Sequence, residues 1–333
     1  MKVNHKLFGV AALFFIGVLQ ACNHASNKEL LQSFSAIDSR GKVISLPQEA
    51  KRVVVLFPSL LDELYMLQAG DCIVGIPQQV YQMEDTYAFL SKLDKRIAEK
   101  TIATPTYGGQ SNNVESIVAL QPDLVITFNT DQDNIQQLED LGIPVYSCSS
   151  ADDERILAEL LGMGILVGKK ERAQEIVTYV EAEVERMRVP EIDDAKSVYY
   201  AWSKGRVMST SGKGSLIDMA IRLSGAENAC PLSMEAPNIS AETMYKWNPD
   251  LIILWNSKLS DVYDLKELAD LPAVKNKQVY VMSPSFPFDP HTVKFLLFAK
   301  QVRHWCFPVY TEEQLNQETE EAFEIMYGKE GLL

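Results

Sequence analysis

Histidine and cysteine are scarce in these 333 residues, with four of the first and five of the second. No C-x-x-C occurs and no histidine pair stands near a cysteine, which argues against a zinc site of the usual ligand spacing. His5 and His24 lie at the very start, so too few histidines remain for a multi-histidine pocket holding a free metal ion. Neither a glycine-rich dinucleotide fingerprint nor a nucleophile elbow is present, and no catalytic set or cofactor motif can be assembled. Ser209-Thr210-Ser211-Gly212-Lys213-Gly214-Ser215 lacks the spacing of a phosphate loop and reads better as the cap of a following helix. Positive charge is the minority sign: 31 Lys and Arg stand against 45 Asp and Glu, for a formal net charge of −14. That balance disfavours nucleic acid, whose phosphates need basic residues in excess, and electrostatic docking on anionic lipid. It suits an encounter with a basic patch on a partner protein.

One apolar run stands out at the start. Lys2 and Lys6 precede an apolar stretch over residues 7–19, too short to span a bilayer comfortably but of the length of a signal h-region. It ends in Leu19-Gln20-Ala21-Cys22, which resembles a bacterial lipobox. Cleavage there would leave Cys22 as a lipidated N-terminus, each buried CH₂ of its acyl chains adding ~0.8 kcal/mol of membrane affinity. The expectation is an exported lipoprotein on a bacterial membrane, facing the periplasm or the cell surface. A plain signal peptide with an incidental cysteine is the alternative. Residues 23–32 are polar and read as a tether. Cys72, Cys148, Cys230 and Cys306 are scattered; an exported compartment permits disulfides, and buried free thiols are the preferred reading.

Beyond the leader, strand and helix patterns alternate. Arg52-Val53-Val54-Val55-Leu56 is a β-branched run of the kind found in buried parallel strands. Phe57-Pro58-Ser59 reads as the turn into a helix that Gly70 stops. Further strands are predicted at residues 73–76, 125–128 and from 144, then at 198–202, 251–255 and 278–282. Helices are predicted at 134–141, 214–223, 292–305 and 312–327. From residue 152 to about 187 apolar residues recur at helical spacing, which predicts one long helix or two nearly collinear ones. The fold class is therefore α/β, in two Rossmann-like lobes joined by a long rigid helix. The predicted boundaries are a leader over 1–21, a lipidated cysteine and tether over 22–33, an N-terminal lobe over 34–150, the bridging helix over 151–189, a C-terminal lobe over 190–307 and a helical tail over 308–333.

A repeat supports two lobes. Asn113-Val114-Glu115-Ser116 opens a helix that reaches Pro122-Asp123 and then Leu124-Val125-Ile126-Thr127-Phe128. Ser240-Ala241-Glu242-Thr243 opens another that reaches Pro249-Asp250 and then Leu251-Ile252-Ile253-Leu254-Trp255. Each begins with a residue that caps helices well, places a glutamate in the first turn where the dipole favours an anion, and ends the helix with proline.

At this point the chain resembles the ABC-importer binding proteins for iron-siderophores, haem and cobalamin, the class III periplasmic type. The match runs over 52–67 with Gly70-Asp71 and Val74-Gly75, over 113–127, over Leu141-Gly142-Ile143-Pro144-Val145, over 212–228, over 240–253 and over 271–280. The resemblance implies a ligand held between two lobes, with little hinge motion, and no enzymatic activity. It implies a monomer working with an ABC permease dimer and its ATPase. Glu115 and Glu242 take the positions that dock to permease arginines; capping their own helices is the simpler role.

Ligands of open α/β sheets sit outside the carboxyl ends of strands, and the turns expected there are rich in aromatics. Phe57, Pro58, Tyr107 and Gly109 are the N-lobe candidates. Trp202, Arg206, Ser211, Phe286, Phe288 and Asp289 are those of the C-lobe. Phe128 and Trp255 read better as core. Large planar or chelated ligands need such walls, since each ring buries ~150–250 Å². Lys204 and Arg206 are possible partners for anionic groups of a ligand, and solvated surface charge is the plainer reading. An iron-siderophore-type chelate is the first expectation and a corrinoid or haem the second. An enzyme on a related two-lobed fold, such as a metal chelatase, is the rival of another class.

Overall fold

A computed structural model describes residues 34–107, 111–188, 195–202, 204–307 and 311–332. The expectations for Cys22, the leader and the tether lie outside these residues, as does Gly109.

Two four-stranded sheets carry the fold. In the first, Val53–Val55 pairs in parallel with Ile73–Gly75 on one side and Leu124–Phe128 on the other, and Val145–Cys148 completes the edge. In the second, Ser197–Ala201 pairs in parallel with Glu227–Asn228 and Leu251–Trp255, and Val279–Met282 completes the edge. Both sheets have the strand order 2-1-3-4. The direction of winding reverses between strands one and three in each lobe. This makes the carboxyl ends of those two strands the switch point, where open α/β sheets leave a crevice.

The repeat is visible in atomic detail. Asn113 and Ser240 cap their helices by accepting hydrogen bonds from Ser116 N and Thr243 N. The residue before each proline is left-handed, Gln121 at φ 48° and Asn248 at φ 46°. The aspartate after each proline then holds the start of the neighbouring strand. Asp123 accepts from the backbone N–H groups of Lys51 and Arg52 at 2.8 and 2.9 Å. Asp250 accepts from Ser197 N at 2.9 Å. A Pro-Asp pair therefore sets strand three against strand one by the same device in both lobes.

The middle of the chain departs from the expectation of one long helix or two nearly collinear ones. It forms two helices, Asp153–Leu166 and Lys170–Met187. Gly168 separates them with φ 69°, and a side chain there would meet the Glu49 carboxylate. A Cβ on Gly164 would lie 2.5 Å from that of Ala173, so the second helix folds back on the end of the first instead of continuing its axis. The second helix is the bridge. The chain then crosses back: helix Phe295–Cys306 sends Phe295, Leu296 and Ala299 into the core that contains Val53 and Leu60, and Phe298 and Val302 into the C-lobe core. Helix Glu312–Tyr327 packs Ala322, Phe323, Met326 and Tyr327 on the N-lobe. Lys300, almost fully buried, reaches Glu183 on the bridge at 2.7 Å and Glu318 on the last helix at 2.8 Å. The bridge is thus braced along its length by the returning chain.

Cys72, Cys148, Cys230 and Cys306 are all free thiols. Burial pushes the Cys72 and Cys306 thiols up to about 12, so neither is a ready nucleophile.

Candidate ligand-binding site

Each lobe presents a pair of aromatic residues at its switch point. In the N-lobe, Phe57 follows strand one and Phe128 ends strand three; their rings meet edge-to-face at 4.8 Å. Phe57 is the extended N-cap of helix Pro58–Met66, whose first residue is proline, so the ring is set where the chain turns from strand to helix. In the C-lobe, Trp202 follows strand one and Trp255 ends strand three. Tyr200 lies against both, at 5.3 and 6.4 Å between centroids. Trp202 is fixed by its indole N–H, which donates to Thr210 O at 2.8 Å. All four are partly buried and pack against the cores of their lobes. Phe128 and Trp255, read from sequence as core, share this position with their partners.

The other expected site residues separate into groups. Tyr107 lies in a short strand pairing with Ser111. Pro58 is half-buried and Arg206 is exposed, bridging through its backbone to Trp202. Ser211 is buried, and its carbonyl accepts from Asn228 Nδ2 at 3.0 Å, so it shapes the loop from inside. Phe286 is likewise buried and packs in the core with its ring tilted against Phe89, 5.6 Å between centroids. Phe288 is half-buried and packs on both the N-lobe and C-lobe cores, at the junction of the two. Asp289 follows it and accepts from His291 N at 3.0 Å, with His291 Nδ1 at 2.9 Å from the same oxygen. Burial would raise the Asp289 carboxyl, but the bonds from His291 and the Lys294 ammonium outweigh it and hold it below its ordinary value. Glu115 and Glu242 are both exposed and in no ion pair among the described residues.

A cluster of buried charge beside Asp289 escaped the sequence reading. Asp62 and Lys294, both with side chains fully buried, form an ion pair at 2.7 Å. Tyr327 O–H donates to Asp62 at 2.8 Å, and Lys294 Nζ donates to Phe286 O while lying 4.2 Å from that ring's centroid. Three distant segments, residues 62, 294 and 327, thus meet at one point. Ser150 Oγ donates to His291 O, and Ser285 donates through N and Oγ to Asp85, adding two more ties between the lobes. Three charged residues inside apolar runs, in Leu60-Leu61-Asp62-Glu63-Leu64 and Val293-Lys294-Phe295-Leu296, were the available signal.

Glu63 is buried next to this pair, with its Oε1 unpartnered. Burial pushes its carboxyl well above the ordinary value, and Glu159, Asp62 and Asp289 add to the effect. The folded state therefore holds a proton that the unfolded chain releases. The corresponding stability is complete below the ordinary glutamate value of 4.5 and is lost as pH rises toward the folded one. Glu63→Gln, which mimics the protonated acid, is expected to flatten that decline by up to ~1.4 kcal/mol per pH unit. Urea midpoints at pH 5 and pH 8 measure it; parallel declines in the two proteins would assign the pH dependence to other groups.

Paired lobes of one topology, each with two aromatic residues at its switch point, are the build of a protein that holds a solute between two halves. Residues 53–285 match the model of the periplasmic binding protein family, and the chain belongs to that family. It is a solute-binding protein of an ABC importer and not an enzyme. It is 24% identical over 257 residues to the ABC transporter substrate-binding lipoprotein YvrC of Bacillus subtilis, covering 74% of this chain and 77% of that protein. It is 27% identical over 226 residues to a cobalamin-binding protein of Halobacterium salinarum, covering 65% of this chain and 57% of that one. A periplasmic solute-binding protein from Veillonella parvula shares the fold, with a TM-score of 0.74 at 22% identity over 89% of this chain and 93% of that one.

Proposed function

We propose that the protein is a lipid-anchored carrier of a bulky metal chelate of the iron-siderophore type, held between the lobes and delivered to a dimeric permease with its ATPase. The observation that carries this reading is the matched aromatic pairs, Phe57 with Phe128 and Trp202 with Trp255, at the two switch points. Rings fixed in this way offer large apolar faces at little conformational cost, which suits a guest too large for one lobe to enclose. Phe288 and Asp289, at the junction of the lobes, form the floor. The braced bridge favours a cleft that admits its guest with small lobe movement. A corrinoid is the second reading, favoured by the cobalamin-binding relative.

Anchoring through Cys22 rests on the sequence Leu19-Gln20-Ala21-Cys22 after an apolar run, and the similar protein YvrC bears the name lipoprotein. The protein would then face the periplasm or the cell surface as a monomer.

Native mass spectrometry against ferric siderophores, haem and cobalamin tests the reading. One chelate is expected to bind one-to-one and unchanged, and Trp202→Ala to weaken it about tenfold or more with the Tm followed as a control for folding. No binding by any member of the panel would overturn the proposal. Unchanged affinity in a folded Trp202→Ala variant would remove that ring from the site.

A further inference from the structure

The N-lobe opens with a hairpin whose two faces differ. Ser35–Ile37 pairs antiparallel with Val43–Ser45, which sets Ala36 opposite Ile44 and Ile37 opposite Val43. Side chains alternate across a strand, so Ala36 and Ile44 turn inward, and both are buried in the N-lobe core. The other face carries Ser35 and Ser45, whose hydroxyls bond each other at 2.8 Å, and Ile37 and Val43, which are 64% and 60% exposed. Leu141, 61% exposed, stands on the same flank. It lies two residues beyond Glu139, whose carboxylate pairs with Arg40 and Lys42 of the hairpin turn at 2.8 and 2.6 Å. These are the three most exposed large apolar side chains among the described residues. Two further features bear on what covers them. Arg40 also pairs with Asp38 at 2.6 Å, so two cations meet two carboxylates and the flank has no charge left over for a charged partner. Only residues 23–33 separate Cys22 from Phe34, a span of at most about 40 Å even fully extended. The hairpin is therefore the part of the fold that an anchor at Cys22 brings nearest to a bilayer.

We infer that the outer face of this hairpin is a lipid-contact surface, with Ile37, Val43 and Leu141 seated at the boundary between headgroups and acyl chains. This rests on the anchoring through Cys22 proposed above and adds an orientation to it. Three apolar side chains are too few to recruit a protein from solution, but a tether makes the contact intramolecular, so a weak contact suffices. The matched charges suit a zwitterionic lipid surface, which neither attracts nor repels them. The turn is also tied to the edge strand of the sheet: Ser39 N donates to Ser147 O at 2.8 Å and Arg40 to Val145 O at 3.1 Å. The flank is thus the side of the N-lobe sheet and not its carboxyl edge. A protein lying on it keeps the proposed cleft clear of the lipid and open to its guest.

The test uses the protein isolated from membranes and placed in phosphatidylcholine vesicles with ordinary or brominated acyl chains, bromine quenching only indoles that touch the chains. Val43→Trp is compared with Met234→Trp, a C-lobe position of similar exposure at 58%. The emission added by Val43→Trp is expected to fall about twofold or more in the brominated lipid, and that added by Met234→Trp to stay nearly constant. Adding Ile37→Asp and Leu141→Asp to Val43→Trp is expected to remove the quenching. Ile37→Thr with Leu141→Gln replaces that pair if the Tm shows the aspartates to unfold the lobe. No quenching at position 43 in a protein whose mass shows a lipidated Cys22, or equal quenching at both positions, overturns the inference and leaves the anchoring standing. A native-mass dimer that shields position 43 from the brominated lipid assigns the flank to a second copy and also overturns it. A protein that carries no lipid on Cys22 overturns both.

Discussion

Lys294→Ala is expected to cost ~3–5 kcal/mol of unfolding free energy, the range seen when one partner of a buried ion pair is removed. The reason lies in what it leaves behind. Asp62 is fully buried and its carboxyl is already pushed up by that burial, with Lys294 and Tyr327 only partly offsetting the effect. Without the ammonium the acid must either keep an unpaired charge or take up a proton, and the Phe286 carbonyl loses its donor as well. A side-chain volume beside Phe89 and Phe286 is lost at the same point. At ~2–4 °C per kcal/mol the Tm should fall by roughly 6–20 °C. Lys294→Met keeps most of the volume and removes only the charge. Pairing it with Asp62→Asn, whose side chain still accepts from Tyr327, should recover much of the loss, because a buried pair replaced as a unit costs little. A double-mutant cycle on urea unfolding reads the coupling directly. A cost below about 1 kcal/mol for Lys294→Ala would mean that this pair adds little and that the lobes are held by apolar packing and the remaining polar ties.

The same residues show where a sequence is legible and where it is not. The strand runs of both lobes and the helix-Pro-Asp-strand repeat stand out because each is encoded within about sixteen residues, by β-branched content and by the stop that proline imposes. The equal strand order of the two sheets follows from that repeat. Gly168 misled the reading of the central segment: apolar spacing continues through it, yet its left-handed backbone turns the chain back on Ala173. Helix Glu84–Leu93 went unread because only Thr86, Phe89 and Leu90 face inward, in a stretch otherwise polar. The Asp62–Lys294 pair is invisible locally, since its members lie more than two hundred residues apart and meet only through the returning chain. Phe57 and Trp202 could be placed at their strand ends because each directly follows a β-branched or aromatic strand run. Phe286, which reads from its proline-rich loop as a cleft wall, is buried against Phe89.

Reversing the charge of both exposed glutamates, Glu115→Lys with Glu242→Lys, is expected to lower uptake through the reconstituted permease about tenfold or more, with chelate affinity unchanged. Each glutamate opens the helix that returns toward strand three of its lobe. In a parallel sheet such a helix starts at the carboxyl edge of the strands, so both acids stand on the edge where the proposed cleft lies. One acid per lobe, set by the same repeat, is the arrangement that a permease of two like subunits would meet. Single reversals should each lose part of the uptake, and raised salt should weaken the wild type toward the variants, as steered encounters do. The alternative role makes a different prediction. A glutamate in the first turn stabilises its helix by ~0.3–1 kcal/mol, so loss of that role alone would lower the Tm slightly and leave uptake intact. Uptake equal to wild type in the double variant would assign both glutamates to their helices and place the permease contact elsewhere on the surface.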